Sequence, residues 1–412
     1  VHRLRRGAVQ LTADSPGSPA RLVRDRATWA LYALFAAWGW FLYSFNPSVP
    51  LIGADLGVSA GVAGLHGTAL AVGTVLAGLL QAPMVARRGR RGVIVLGAGT
   101  VVVALVLITT SGVLVGTLGG AVLAGVGGSA IVNAANVALD DKHGRAGGAA
   151  ITEANGLGAL VGALAPVVLG TVVAAGLGWQ PALLVVVVLL AGAVLALPPL
   201  PGPGAPAHDD PDGTRLPPRY WWAWAVLVTL IGVEFSFTVW GSTLVAERTG
   251  VPVGTATSAL TVLVLGLAAG RVLGSRLALR FGAGLLLLGA IAVASLGWLL
   301  VWTSSSLTQA VVGLAVSGLG MALHFPLGVS RALEAAAGKP DLASGRISLG
   351  VGLAVGAAPF ALGALTDAVG VQQAFLLVPG LLALAGTLLL VGRLSGARRG
   401  STAPPLPPTP AG

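Results

Sequence analysis

The chain has 412 residues, 55% of them hydrophobic and only 9% charged, against about one-quarter charged in a soluble domain, which speaks against a soluble enzyme. It has no Cys, so disulfide frameworks, thiolate metal centres and cysteine nucleophiles are excluded. The net charge of +10 would point to nucleic acid in a soluble chain, but here the basic residues lie between long apolar runs, where they set orientation in a membrane.

Residues 1–27 carry scattered arginines among Pro and Ser and lack the apolar core and small-residue cleavage site of a signal peptide. They are expected to form a disordered cytoplasmic tail. Twelve uncharged or nearly uncharged stretches of about 20 residues follow, each long enough to cross a bilayer as a helix. They lie near 28–50, 61–86, 92–110, 113–139, 147–175 and 181–198, then near 220–246, 255–275, 283–303, 307–333, 345–366 and 373–392. Runs such as 93–108 are apolar on every face, unlike the alternating strands of a membrane barrel. The expected fold is therefore an all-α membrane protein with twelve transmembrane helices.

Basic residues fall almost wholly in alternate loops, among them Arg87, Arg88, Arg90, Arg91, Arg145, Arg219, Arg280 and Lys339, with Arg393, Arg398 and Arg399 after the last span. The opposite loops hold only Arg248. Both termini are thus expected to be cytoplasmic, in a multi-pass protein of the cell (plasma or inner) membrane.

The segment 199–219 is rich in Pro, Gly and Asp and reads as a flexible cytoplasmic linker. It separates a six-helix bundle at 28–198 from a second at 220–392, and 393–412 is expected to be a disordered tail. The halves match at an offset of 193: ARRG (86–89) falls on LRFG (279–282), ALAPVVLG (163–170) on GAAPFALG (356–363), and Gly120, Gly125 and Gly127 on Gly313, Gly318 and Gly320. A six-helix repeat keeps its orientation in both copies. Two such pseudo-symmetric bundles around a midplane site describe a secondary transporter that rocks one half against the other.

Ionisable residues at bilayer depth are costly and are read as functional. Glu234, about 21 Å into the seventh span at 1.5 Å per residue, is the expected proton-coupling or cation-binding group. His324 in the tenth span is a second candidate for titration near neutral pH. Asn133 and Asn136 share one side of the fourth span and suit either substrate binding or a bridge between helices. Asn46, before Pro47, reads as a capping or kink residue. No nucleotide-binding loop and no H-E-x-x-H run occurs, so neither an enzyme nor any metal or cofactor is expected.

The loop APMVARRGRR (82–91) resembles the G-x-x-x-D-R-x-G-R-R loop of the major facilitator superfamily through Arg87, Gly89, Arg90 and Arg91, with Ala86 where the acid is usual. The corresponding loop of the second half keeps Arg280 and Gly282. On the fifth span, Gly156, Pro166 and Gly170 match part of a pattern associated in that family with exporters. The twin Pro359 on the eleventh span makes shared architecture, with both prolines as helix bends, the more economical reading. The resemblance implies that the fifth and eighth helices pack across the halves. It thereby implies an ion pair between Glu153 and Arg271 that helps close the inner gate in the outward-open state, with Arg346 equivalent to Glu153 in the second half. It also implies that the first and seventh helices flank the cavity, so that Phe35, Trp38, Phe45 and Phe237 form an aromatic wall beside Glu234. Rings attract cations, and proton-coupled export of an apolar or cationic small molecule is slightly favoured over proton-coupled uptake of a small metabolite. A transport-inactive sensor or scaffold is the alternative of another class. The expected partners are a small-molecule substrate, protons and the lipid bilayer; nucleic acid is not expected, and the chain is expected to be a monomer.

Overall fold

The computed structural model describes residues 22–200, 215–277, 280–336 and 340–400. Most of the expected N-terminal tail, the middle of the linker, Lys339 and the end of the C-terminal tail lie outside the described residues. So do the side chains of Arg145, Arg393, Arg398 and Arg399.

Among the described residues every element is helical. The first half contains α1 (Arg26–Leu56), α2 (Ala60–Thr110), α3 (Leu114–His143), a 3-10 turn, α4 (Gly147–Gly162), α5 (Ala165–Ala174) and α6 (Gln180–Ala196). The second contains α7 (Pro218–Thr249), α8 (Val253–Leu277), α9 (Ala283–Trp302), α10 (Leu307–Met321), α11 (His324–Glu334), α12 (Pro340–Val369), α13 (Val371–Ala374) and α14 (Leu377–Gly400). The pairs Ala60/Val253, Leu114/Leu307 and Gly147/Pro340 open equivalent helices 193 residues apart. Among the described residues, ten helical segments are long and apolar enough to cross a membrane. α6 is apolar but has 17 residues, and α1 has 31, diluted by Trp, Tyr, Asn and Pro.

Three boundaries differ from the sequence expectation. The basic loop after the second span is not an open loop: α2 runs through it and breaks only at Gly89, whose φ of 65° and ψ of 170° are non-helical. A side chain resists that left-handed φ, and Gly does not. The last helix continues to Gly400, so 393–400 is helical where a tail was expected. Arg24 and Asp25 belong to the folded structure rather than to a tail. Asp25 caps α1 by accepting from the Thr28 amide at 3.0 Å, supplying one of the partners that a helix start lacks.

Proline explains two other breaks. A proline deprives the carbonyl four residues back of its donor and crowds it. Pro166 accordingly lies just after the break between α4 and α5, and Pro326 just after the break between α10 and α11. Pro359 stays inside a continuous α12, where the expected bend is not a break. The Val355 carbonyl that it frees faces Gly67 of α2.

Each half packs mainly on itself, through α2 on α3 and α1 on α4 and α6 in the first, and through α10 on α8 and α9 and α7 on α12 and α14 in the second. The halves meet along two seams, α2 with α12 and α5 with α8, and α1 also touches α7. The offset that pairs α2 with α8 and α4–α5 with α12 exchanges one seam for the other, as a two-fold axis between the halves would.

Two ends of the bundle are distinguished by charge. The basic end carries the start of α1, the Gly89 break and the start of α7; the far end carries the end of α1, the start of α2 and the end of α12. At the far end the seams are tight. A Cβ placed on Gly170 of α5 would lie 2.1 Å from Ser258 Oγ and 2.2 Å from the Gly254 carbonyl of α8. One placed on Gly64 of α2 would lie 2.9 Å from the Pro359 carbonyl of α12. Small residues let helices approach this closely, and within a bilayer such packing is a main source of helix association.

Candidate functional site

Glu234 stands halfway along α7 and is half-buried. Arg271 on α8 and Tyr43 on α1 are also half-buried and lie within electrostatic reach of it and of each other. Counted at 1.5 Å per residue, the three sit roughly 20–27 Å along their helices from the far end, at the middle of the bundle or slightly toward the basic end. One turn nearer the far end, Asn46 of α1 donates its side-chain amide to Thr238 Oγ1 of α7 at 3.4 Å. Tyr43 and Asn46 are three residues apart, and Glu234 and Thr238 four, so each pair shares a helix face. The result is a polar seam between the halves. It can hold a proton on the carboxyl, an anionic or hydrogen-bonding group on the guanidinium, and a polar group on the phenol.

His324 is fully buried at the start of α11, its ring facing the Leu230 carbonyl of α7 without closing a hydrogen bond. Leu230 precedes Glu234 by four residues, so the imidazole lies about one turn, roughly 5 Å, toward the basic end of the carboxyl. Asn136 is half-buried with its side-chain carbonyl unpartnered, and Asn133 is exposed.

Of the aromatic residues expected beside Glu234, Phe35, Phe45 and Phe237 are buried in packed contacts, Phe45 stacked on Phe41 and Phe237 edge-on against Phe375. Trp38 is half-buried, stacked on Phe41 and pressed on Gly128 of α3. These rings join helices within a half, because large apolar faces gain more from packing than from lining a polar seam.

The Glu153–Arg271 pair, expected for the outward-open state, is not formed in this arrangement. Glu153 on α4 accepts from Arg24 Nε at 2.8 Å and from its terminal nitrogen at 2.5 Å, and the Tyr32 hydroxyl donates to it at 3.0 Å. Lys142 reaches Asp25 at 2.7 Å, and Thr28 Oγ1 lies 3.0 Å from His143 Nε2. The Lys142 ammonium and the Thr28 amide hold the Asp25 carboxyl well below the ordinary carboxylate range, and Glu153 raises the Arg24 guanidinium further. This clamp ties the segment before α1 to α3 and α4, all within the first half. Arg346 is exposed, and its carbonyl accepts from Trp224 Nε1 at 2.7 Å, within the second half.

In the motif loop, Arg90 is buried and pairs with Asp141 at the end of α3, so an acid from another helix partners the loop in place of the one replaced by Ala86. Arg91 donates to the Leu197 carbonyl at 3.4 Å. Arg87 and Arg280 are exposed, and Gly282 is the residue preceding α9.

The far end holds a polar contact that the sequence did not reveal. Asp367, near the end of α12, accepts from the backbone amides of Ala60 and Gly61, both at 2.7 Å. These are the first amides of α2, unpaired within their own helix and at its positive pole. A carboxylate of one half therefore caps a helix of the other.

No curated protein sequence matches the chain. Among solved structures, a bacterial homologue of the human lysosomal transporter Spinster, in an inward-facing and occupied conformation, superposes with a TM-score of 0.70 at 16% identity, over 92% of this chain and 99% of that one. The nucleoside transporter NupG gives 0.73 at 14% identity, over 89% and 98%. The E. coli fucose:proton symporter FucP gives 0.59 at 16% identity, over 89% and 98%. The family model described as Major Facilitator Superfamily matches residues 29–260 and 225–411. Helices that fit a membrane, the fold and this match together make the chain a member of the Major Facilitator Superfamily, a membrane transporter rather than an enzyme.

Proposed function

We propose that the chain is a proton-coupled secondary transporter of a small polar organic molecule, working by alternating access between two six-helix bundles. α1 and α6 join the ten long apolar segments to make twelve spans, and the basic end is cytoplasmic, as the distribution of arginines implies. The far-end contacts then form the closed outer gate, and the arrangement corresponds to an inward-open state.

The observation that carries this reading is the Tyr43–Glu234–Arg271 group between the halves. An ionised Glu234 occupies Arg271 electrostatically. A protonated Glu234 releases Arg271 to an anionic or strongly hydrogen-bonding substrate, and proton and substrate together leave the site nearly neutral. That logic moves both in the same direction. It supports uptake with protons over export of a cation, since the acid has a cation beside it and the rings expected around it are packed away. His324, one turn toward the basic end, is the proton's next stop, and Asn136, whose side-chain carbonyl has no partner, and Asn133 are left as candidate substrate contacts. When the outer gate opens and the basic end closes, Glu153 exchanges Arg24 for Arg271 or Arg346 of the other half. Desolvated pairs serve better as such switches than as stabilisers.

The test is uptake by the full chain in proteoliposomes, screened with organic anions, nucleosides and sugars, with and without an imposed pH gradient. Glu234→Gln should lose accumulation against a gradient while keeping exchange. Gradient-driven accumulation that survives in this variant refutes the coupling assignment. A wild-type protein that moves nothing in the screen, yet binds a compound, favours a sensor.

A further inference from the structure

The strongest unassigned feature is a groove of about 980 Å³ on the outer face of α2, closed on one side by Leu123 of α3. Arg88 and Arg91 stand at its basic end, and Val95, Gly99 and Val103 continue it toward the far end. Val95 and Val103 are among the exposed apolar side chains. From Arg91 to Val103 the groove runs about 18 Å along the helix, close to the roughly 15 Å depth of one leaflet's hydrocarbon.

The arginines of this segment divide their work. Arg90 turns inward to Asp141. Arg88 and Arg91 have no carboxylate partner among the described residues. The Gly89 break separates Arg88, at the close of the first segment of α2, from Arg91 in the second, yet both reach the head of one groove. Two guanidiniums above an apolar trough match a phosphate attached to acyl chains: the planar donors fork onto phosphate oxygens, and the trough takes a chain. A zwitterionic lipid carries the same phosphate but brings its own cation beside it, and so offers these two guanidiniums no net counter-charge.

We propose that this groove binds one anionic phospholipid, its phosphate held by Arg88 and Arg91 and an acyl chain lying over Gly99. The charge pattern commits the site to a lipid rather than a free phosphate, because most of its length is apolar. A basic residue at a membrane surface contributes enough that two give about thirtyfold preference for an anionic head group. The site stands apart from the substrate seam and does not depend on how transport is coupled.

The full chain in detergent is titrated with phosphatidylglycerol, with phosphatidylcholine of the same chains, and with glycerol phosphate, and bound species are counted by native mass spectrometry. Wild type should retain one phosphatidylglycerol at least tenfold more readily than phosphatidylcholine, and should bind glycerol phosphate negligibly. R88Q/R91Q should bring the two lipids within about twofold, whereas R87Q should keep the preference, since Arg87 lies outside the groove. Gly99→Leu should lower retention of both lipids about fivefold. A Cβ at Gly99 meets nothing within 4 Å, so that side chain fills the trough without disturbing the helix. The proposal is overturned if wild type shows no preference, if the preference survives R88Q/R91Q, if glycerol phosphate binds as well as the lipid, or if Gly99→Leu retains lipid normally.

Discussion

The far end and the basic end join the chain in opposite ways. At the far end the halves touch each other, backbone against backbone at Gly170 and Gly254, with Asp367 capping α2 across the seam. At the basic end the polar contacts stay inside one half: Arg24 with Glu153, Asp25 with Lys142, and Arg90 with Asp141. Contacts between halves must break during a rocking motion, and contacts within a half ride along with it. On the proposed rocking motion, stability and gating would fall to different sets of residues in one bundle.

That separation can be tested from its strongest element downward. Gly170→Leu should have the largest effect, because its side chain would collide with α8 on its first atom. Overpacking of this kind costs about 1–3 kcal/mol, so the far-end-closed state should fall by roughly tenfold or more. Spin-label distances across the far end would report the opening, and unchanged distances would remove the seam from the gate.

Asp367→Ala should act next. It deletes two charge-assisted hydrogen bonds at a helix start, worth about 1–2 kcal/mol at an exposed position. The same distances should lengthen in a larger fraction of molecules, with little change in thermal stability. A variant that melts early but stays shut would make Asp367 a brace instead of a latch.

Arg24→Gln probes the other end and should do least to gating. The pair is well exposed, and exposed ion pairs contribute little to stability. A small drop in Tm with unchanged far-end distances is expected; a large shift in those distances would erase the distinction between the ends.

Acidity provides the mildest test. The Asp25 carboxyl is held below its ordinary value of 3.8, so its contribution is complete above that pH and fades only as pH falls toward the lower folded value. Between pH 5 and 8 the Asp25 carboxyl should therefore not titrate, so any change over that range belongs to His143, which Thr28 links to it. Asp25→Ala, which loses the cap of α1 at about 1 kcal/mol, should lower Tm by the same amount across that range. A Tm difference that varies over it would assign the titration to another group.

Much of the architecture was legible in the sequence, because apolar length and the spacing of arginines answer to the bilayer directly. Glu234 stood out for the same reason: a lone acid at depth has few structural excuses. Its companions did not. Tyr43 was one aromatic among many on α1, and only its register with Asn46 hinted at a polar face. Arg271 was visible, but packing alone decides whether it meets Glu153 or Glu234. Asp367 looked like an ordinary loop acid, since its partners are backbone amides and leave no signature in side-chain identity. The span at 307–333 reads as one helix in the sequence, although Pro326 is the residue that accompanies its break before His324, and Pro359 lies inside a continuous helix.

The cap at the start of α2 has a further consequence for how such a protein can be retuned. One side of the latch is mostly main chain, whose amides only a proline at 60 or 61 would delete. Position 367 is then the most direct dial available to natural variation or to an engineer, and graded replacements there (Glu, Asn, Ser) offer a way to set the dwell time of the shut state while the rest of the interface is left alone.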